Sequence, residues 1–197
     1  MAGFFEVQIL TLADLKADQS GLLISELAEL ICEVFSEPPW NERFSATRIM
    51  FGLGVEMMRK NAMLVIAKHK QDGHVIAYML GQELVVESDD PRDQTFLKIS
   101  GGHDLDVLAN NQQRTFYVSG LGVIAKYRRL GIAEQLSATL LTELRRQQFD
   151  YRLGRTDLQA HGMRKLYSKQ GFKELPVYDL KYPERSYWVL SLNKRCN

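Results

Sequence analysis

The sequence predicts an α/β (α+β) fold, a mixed and mostly antiparallel sheet of about seven strands flanked by helices. Three observations carry that prediction. Residues Phe116 to Ala133, FYVSGLGVIAKYRRLGIA, pass from an aromatic and β-branched strand through a basic, glycine-containing turn into a helix. Gln71-Asp72-Gly73 forms a hairpin turn between the apolar runs Met63 to Lys68 and His74 to Val85. Elsewhere, strand-like runs alternate with stretches whose apolar residues recur at three- and four-residue spacing.

In chain order, Phe5 to Leu10 reads as a first strand. Gly21 to Phe35 reads as a helix with Leu23, Leu27, Ile31 and Val34 down one face. The loop Glu37-Pro38-Pro39-Trp40-Asn41-Glu42 ends it, because two prolines stop a helix and stiffen a turn. Ser45 is an N-cap for a second helix running to about Lys60. The hairpin strands follow, with Gly81 marking a bulge in the second. Glu87 to Gln113 contains Asp89-Asp90-Pro91, Gly101-Gly102 and Asn110-Asn111, too long for a hairpin connection, and reads as an insertion. Phe96, Leu97 and Ile99 are apolar enough for part of it to pack. After the strand Phe116 to Val123, a helix begins near Gly131 and carries Leu136, Leu140, Leu141 and Leu144 at helical spacing. Tyr151 to Thr156 is a strand. Asp157 caps a helix over Leu158 to Lys169, with Met163, Leu166 and Tyr167 on its apolar side. Lys173 to Asp179 and Tyr187 to Leu192 close the sheet as an antiparallel pair, joined by a loop over Lys181 to Ser186.

The length, 197 residues, predicts one domain over 1–197 with a sizeable core, interrupted by the insertion at about 87–113. A hydrophobic fraction of 45% is ordinary for a globular chain, and a net charge of +1 gives no strong electrostatic case for nucleic acid or membrane. Two cysteines, Cys32 and Cys196, are no disulfide framework and suit a reducing compartment. The opening MAGFFEVQIL lacks a basic n-region and a cleavage site, and no apolar run approaches about 18 residues. The expected location is the cytoplasm. The oligomeric state, homodimer included, is left open.

The basic turn is the functional signal. The first N–H groups of a helix have no intrahelical acceptor and bind anions, helped by the helix dipole. Arg128 and Arg129 beside that turn favour a phosphate over a merely solvated charge pair. Gly120-Leu-Gly122-Val-Ile-Ala125 also fits the dinucleotide fingerprint, and a nicotinamide oxidoreductase is the rival it raises. That fingerprint needs a helix starting inside it and an acidic residue about 20 positions later at a strand end. Here the helix starts near Gly131, and Glu143 lies within it.

Arg128-x-x-Gly131-x-Ala133 matches the Arg/Gln-x-x-Gly-x-Gly/Ala signature of the GNAT N-acetyltransferase superfamily. Leu121-Gly122-Val123 before it resembles that family's acyl-CoA-binding strand. Leu166-Tyr167-Ser168-Lys169-Gln170-Gly171-Phe172 is similar to its second marker, Leu-Tyr-x-x-x-Gly-Phe. The two markers stand in the family's order, separated by one helix and one strand, and the close likeness covers about residues 116–172. The resemblance implies a sheet opened by a strand, two helices and a hairpin. It implies acetyl-CoA as co-substrate, no metal, and direct acetyl transfer to a primary amine of a small molecule or peptide. The insertion would lie near the mouth of the active site.

Such a transfer needs a held acyl-CoA, a deprotonated amine, a stabilised oxyanion and a proton for the thiolate. The resemblance gives the pyrophosphate to the N–H groups of Arg129, Leu130, Gly131, Ile132, Ala133 and Glu134, with charge from Arg128 and Arg129. Glu134 helps the dipole yet is unfavourable beside a phosphate. Main-chain groups of Leu121, Gly122 and Val123 would meet the thioester and pantetheine, and glycines there admit close approach. Tyr167 would be the general acid: a phenol near its ordinary value of about 10 is protonated at neutral pH. The family often has an asparagine about seven residues before this tyrosine; Ala160 holds that position, with His161 next to it. The base is unresolved among Glu83, Asp104, Asp106 and a water relay through Ser119 or a backbone carbonyl. Trp40, Phe44, Phe51, Met57 and Met58, with Glu37 and Glu42, would wall the acceptor pocket or simply pack. The rival to an enzyme is a non-catalytic acyl-CoA-binding module that acts as a sensor or partner surface.

Overall fold

The computed structural model describes residues 3–85, 113–176 and 182–192. Most of the expected insertion, with Asp104 and Asp106, lies outside them, as does Cys196. The described strands are β1 (Phe5–Leu10), β2 (Met63–His69), β3 (Val75–Glu83), β4 (Thr115–Val123), β5 (Tyr151–Asp157), β6 (Lys173–Glu174) and β7 (Arg185–Ser191). The described helices are α1 (Leu12–Ala17), α2 (Leu22–Ser36), α3 (Ala46–Met57), α4 (Ile132–Arg146) and α5 (His161–Lys169). The strands form one seven-stranded sheet in the order β1-β2-β3-β4-β5-β7-β6. The pairs β1–β2, β2–β3, β5–β7 and β6–β7 are antiparallel, and β4–β5 is parallel. This is the mixed, mostly antiparallel sheet the sequence predicts.

The chain divides into two compact units, Met1–Gln82 with Ser119–Thr142, and Glu83–Val118 with Glu143–Asn197. In the first, α2 and α3 bury Leu27, Leu30, Ile31, Val34, Leu53 and Met57 against Leu64, Ile66, Tyr78 and Leu80 of β2 and β3. The helical spacing seen in the sequence is that buried face, and each fully buried side chain is worth about 1.5–3 kcal/mol before entropy is charged against it. Ser45 caps α3 as expected, its hydroxyl accepting the Arg48 N–H at 3.3 Å. In the second unit, Tyr117, Leu153 and Tyr187 form one cluster and Tyr167, Phe172 and Trp188 another.

Four local expectations are corrected. The register of the hairpin shifts between Ala67 and Lys68, whose partners are Ala77 and Val75, so the bulge lies near the turn; Gly81 pairs regularly with Met63. Helix α1 was not predicted, because six residues are too few for a periodicity to show; its one local sign is Thr11, whose N–H and hydroxyl both donate to Asp14 (2.6 and 2.7 Å). Asp157 does not cap α5. It ends β5 and accepts the Gln159 N–H at 2.7 Å, and the helix begins only at His161. Strand β7 begins at Arg185, inside the stretch read as a loop. Of the strand expected over Lys173 to Asp179, residues 177–179 lie outside the described part.

Candidate active site

The turn after β4 has the geometry an anion needs. A 3₁₀ turn over Ala125–Tyr127 follows the strand, then Arg128, Arg129 and Leu130 stand exposed. Arg129 and Gly131 both adopt left-handed backbone, φ 65° and 80°. Nothing lies within 4 Å of where a Gly131 side chain would begin, so its surroundings are open. The Gly131 carbonyl accepts the Gln135 N–H at 3.0 Å and starts α4. The N–H groups of Ile132 to Glu134 therefore lie in a first turn that offers no intrahelical acceptor. Arg128 is folded back: its Nε donates to the Val123 carbonyl at 2.9 Å and its guanidinium pairs with Glu37 at 2.5 Å. In this state it ties the turn to the loop after α2, and Arg129 is the arginine held out toward solvent.

The glycines of β4 have a structural occupant. A side chain at Gly120 would meet the Tyr78 hydroxyl at 2.9 Å; one at Gly122 would meet Tyr78 Cε1 at 2.7 Å and Val34 at 3.1 Å. They are there to admit the ring of Tyr78, which is buried on β3. Leu121 and Val123 are half-buried and Gly122 is buried.

Tyr167 sits on α5, 2% exposed, stacked on Trp188 (5.6 Å) and tilted against Phe172 (4.7 Å). Its ring lies over Gly154 of β5, where a side chain would meet Tyr167 Cζ at 2.8 Å. Gly154 is also the last residue of β5 in register with β4, opposite Val118. Burial pushes the phenol up to about 12, opposed by the charge of the fully buried Arg152. Ala160 precedes α5 and His161 is exposed.

Glu83 is buried at the end of β3 in a two-point pair with Arg114, 2.8 and 3.3 Å. Arg114 is fixed in turn by the Gln147 carbonyl, by the Asp150 carboxylate on its main-chain N–H at 2.9 Å, and by the Phe149 ring. The guanidinium is held above its ordinary value first by the Glu83 hydrogen bond. Glu83 thus has a partner that a proton-accepting role would have to displace.

Ser119, the first residue of β4 past its register with β5, is exposed although Thr115 to Val118 before it are buried. Its hydroxyl donates to Glu56 of α3 at 2.7 Å, with the Leu80 carbonyl at 3.3 Å. Glu56 was missed in the sequence. Its only signal was a carboxylate set among Met50, Phe51, Leu53, Val55, Met57 and Met58. The residues expected around the acceptor divide. Met57 belongs to the core; Trp40 and Phe44 pack on Phe35 (5.6 and 6.0 Å); Phe51 and Met58 are 77% and 65% exposed. Glu37 is the partner of Arg128, and the main-chain N–H of Glu42 donates to the Phe35 carbonyl. Among the described residues, no helix is long and apolar enough to cross a membrane.

A family model described as "Acetyltransferase (GNAT) family" matches residues 24–172. Solved structures with the same fold include a chain of the NatC complex bound to Gag peptide and CoA (18% identity, TM-score 0.64, covering 97% of this chain and 100% of that one). Another is Arabidopsis thaliana NAA60 in complex with acetyl-CoA (12%, 0.59, 95% and 98%). A third is the ribosomal-protein-S18-alanine N-acetyltransferase from Escherichia coli (12%, 0.58, 98% and 99%). A search of curated proteins gave no match. The chain belongs to the acetyltransferase (GNAT) family.

Proposed function

We propose that the protein moves an acetyl group from acetyl-CoA directly to a primary amine. The observation that carries this reading is the unit formed by β4, the left-handed turn at Arg129 and Gly131, and the first turn of α4. Main-chain N–H groups from Arg129 to Glu134 cradle the pyrophosphate, and Arg129 adds charge. Arg128 joins them on leaving Glu37. Leu121 to Val123 hold the pantetheine and the thioester. Tyr167 supplies the proton to the departing thiolate, and its glycine-faced position at the end of the β4–β5 ladder supports that role. Peptide amines are the favoured acceptor class, since similar folds include proteins described with a Gag peptide and as a ribosomal-protein alanine acetyltransferase. Glu83 is one of the proton acceptors that the sequence leaves open, and its pair with Arg114 speaks against it; a Glu83→Gln variant that keeps its fold and its turnover removes it from the mechanism.

The test is a melting measurement with acetyl-CoA, CoA and NAD, followed by CoA release against a panel of amines. A shift with acetyl-CoA and CoA but not NAD, and release with at least one amine, is the expected result. A shift without release from any amine favours the second reading, an acyl-CoA-binding module without turnover. The near-complete burial of Tyr167 is the observation on that side.

A further inference from the structure

We infer that Ser119 and Glu56 form the proton relay that takes the proton from the acceptor amine, Ser119 touching the nitrogen and Glu56 receiving the proton behind it. The inference rests on the acetyl-transfer reading and goes beyond it by naming this route.

The geometry is that of a hydroxyl already committed to a carboxylate. A serine has one proton and two lone pairs. Its proton lies toward Glu56 Oε2 at 2.7 Å, the shorter contact; the Leu80 carbonyl, at 3.3 Å, is the weaker alternative. The lone pairs of Oγ are then the atoms left to meet an N–H, and Ser119 is exposed on a strand whose preceding four residues are buried. It stands two residues before Leu121, where the proposed thioester contacts begin. Glu56 is half-buried and Ser119 is exposed, so the bond between them lies at the surface, where an incoming amine can reach the Ser119 hydroxyl. Among the described residues, Ser119 of β4 bonds Glu56 and Tyr78 of β3 feels its charge; further along the chain after α3, the charged residues are Arg59 and Lys60. Tyr78 does not compete for the proton. Burial, and secondarily the Glu56 charge, hold its phenol well above the ordinary value, so it stays neutral.

The step balances. The amine nitrogen attacks the thioester carbon, a C–N bond forms, and the carbonyl electron pair moves to oxygen. The nitrogen, now acidic, gives its proton to Ser119 Oγ as the Ser119 proton passes to Glu56 Oε2. Collapse of the intermediate breaks the C–S bond, and the thiolate takes a proton from the general acid. Glu56 returns its proton to water, and the general acid recovers one from water, which restores the starting state. Ser119 is the catalytic residue in this step. Glu56 acts through it and is a positioning residue that also stores the proton.

The experiment measures CoA release with acetyl-CoA and a degenerate pool of peptides bearing free N-terminal amines, alongside spermidine and kanamycin as small-amine probes. Glu56→Gln keeps an acceptor for the Ser119 hydroxyl and removes the basicity. Its kcat should fall by about 100-fold or more, with the acetyl-CoA melting shift unchanged. Its rate should continue to climb with pH where the wild type levels off. Ser119→Ala should fall similarly, Ser119→Thr should restore most of the rate, and the double variant should be no worse than either single, as for residues that act as a unit. Folding is checked by melting, and if Glu56→Gln does not fold, the Ser119 pair of variants decides. A kcat within about threefold of wild type for Glu56→Gln or Ser119→Ala would overturn the relay. So would a rise in KM alone, which would make Glu56 a binding group. Wild-type silence with every amine overturns the acetyl-transfer reading itself, and the relay with it, and is told apart because no variant is needed to see it.

Discussion

In the proposed mechanism, Tyr167 serves two demands with one side chain. Its ring completes a core cluster with Trp188 and Phe172, and its hydroxyl is left beside a residue without a side chain. A phenol at about 12 is fully protonated at neutral pH. Handing its proton to a thiolate of ordinary basicity is, however, uphill in that dry state. Solvation or charge arriving with the cofactor must close part of that difference. Tyr167→Phe keeps the packing and removes only the proton. Turnover should fall by about 100- to 10,000-fold while the melting temperature and acetyl-CoA affinity hardly move. Steady-state kinetics and a melting series on the same sample check this; survival of turnover would give the proton to water. Gly122→Ala makes the opposite kind of prediction. Its new methyl would press on Tyr78 and Val34, and overpacking of that kind costs about 1–3 kcal/mol, readable by denaturant unfolding.

At the scale of elements, the β4–turn–α4 unit concentrates the proposed anion-binding features in a few consecutive residues. Gly131 tolerates a φ of 80° that most residues resist. Gly131→Asp adds a carboxylate at the proposed pyrophosphate site, and Gly131→Asn adds nearly the same shape without the charge. Both should lose a similar, modest amount of stability, but Asp should cost far more acetyl-CoA affinity than Asn by calorimetric titration. Equal affinities would move the phosphate site elsewhere. The Glu83–Arg114 pair anchors the end of β3 instead. Removing one partner of a buried pair costs about 3–5 kcal/mol, and the half-exposed Arg114 side puts Arg114→Ala near the low end. Unfolding in urea measures it.

For the whole molecule, ligand and pH act on stability separately. Acetyl-CoA at about 100 times its dissociation constant should add about 2.7 kcal/mol, seen as a rise in melting temperature. His74 is held above its ordinary value first by its hydrogen bond to Glu26, then by the charges of Glu26 and Asp72. A group raised in the folded state stabilises below its unfolded value and loses that contribution as pH rises through the folded one. The melting difference between wild type and Glu26→Gln should therefore be present near pH 6 and close toward higher pH. Both groups are solvent-accessible, so the difference should be small and weaken with salt. What the sequence made legible follows the same division between near and far. The turn, Gly131 and the Leu166 to Phe172 marker are local, and the helix faces repeat at a fixed spacing, so both can be read along the chain. The Ser119–Glu56 bond joins positions 63 apart and the Arg114–Glu83 pair positions 31 apart. No periodicity encodes such meetings, and an acid that packs into a pair looks the same in sequence as one that stays in solvent.

The ring of Tyr78 pressed against Gly120 and Gly122 restricts how this chain can change over time. Neither glycine gains even a methyl without strain while the tyrosine stays, whereas a smaller residue at 78 would release Gly120 and leave only Val34 against Gly122. Substitutions at these positions should therefore arrive together among related sequences, the larger residue appearing on β4 only where β3 has given up its ring. A relative carrying alanine at the position of Gly122 beside an intact tyrosine would show that the strand can shift to make room.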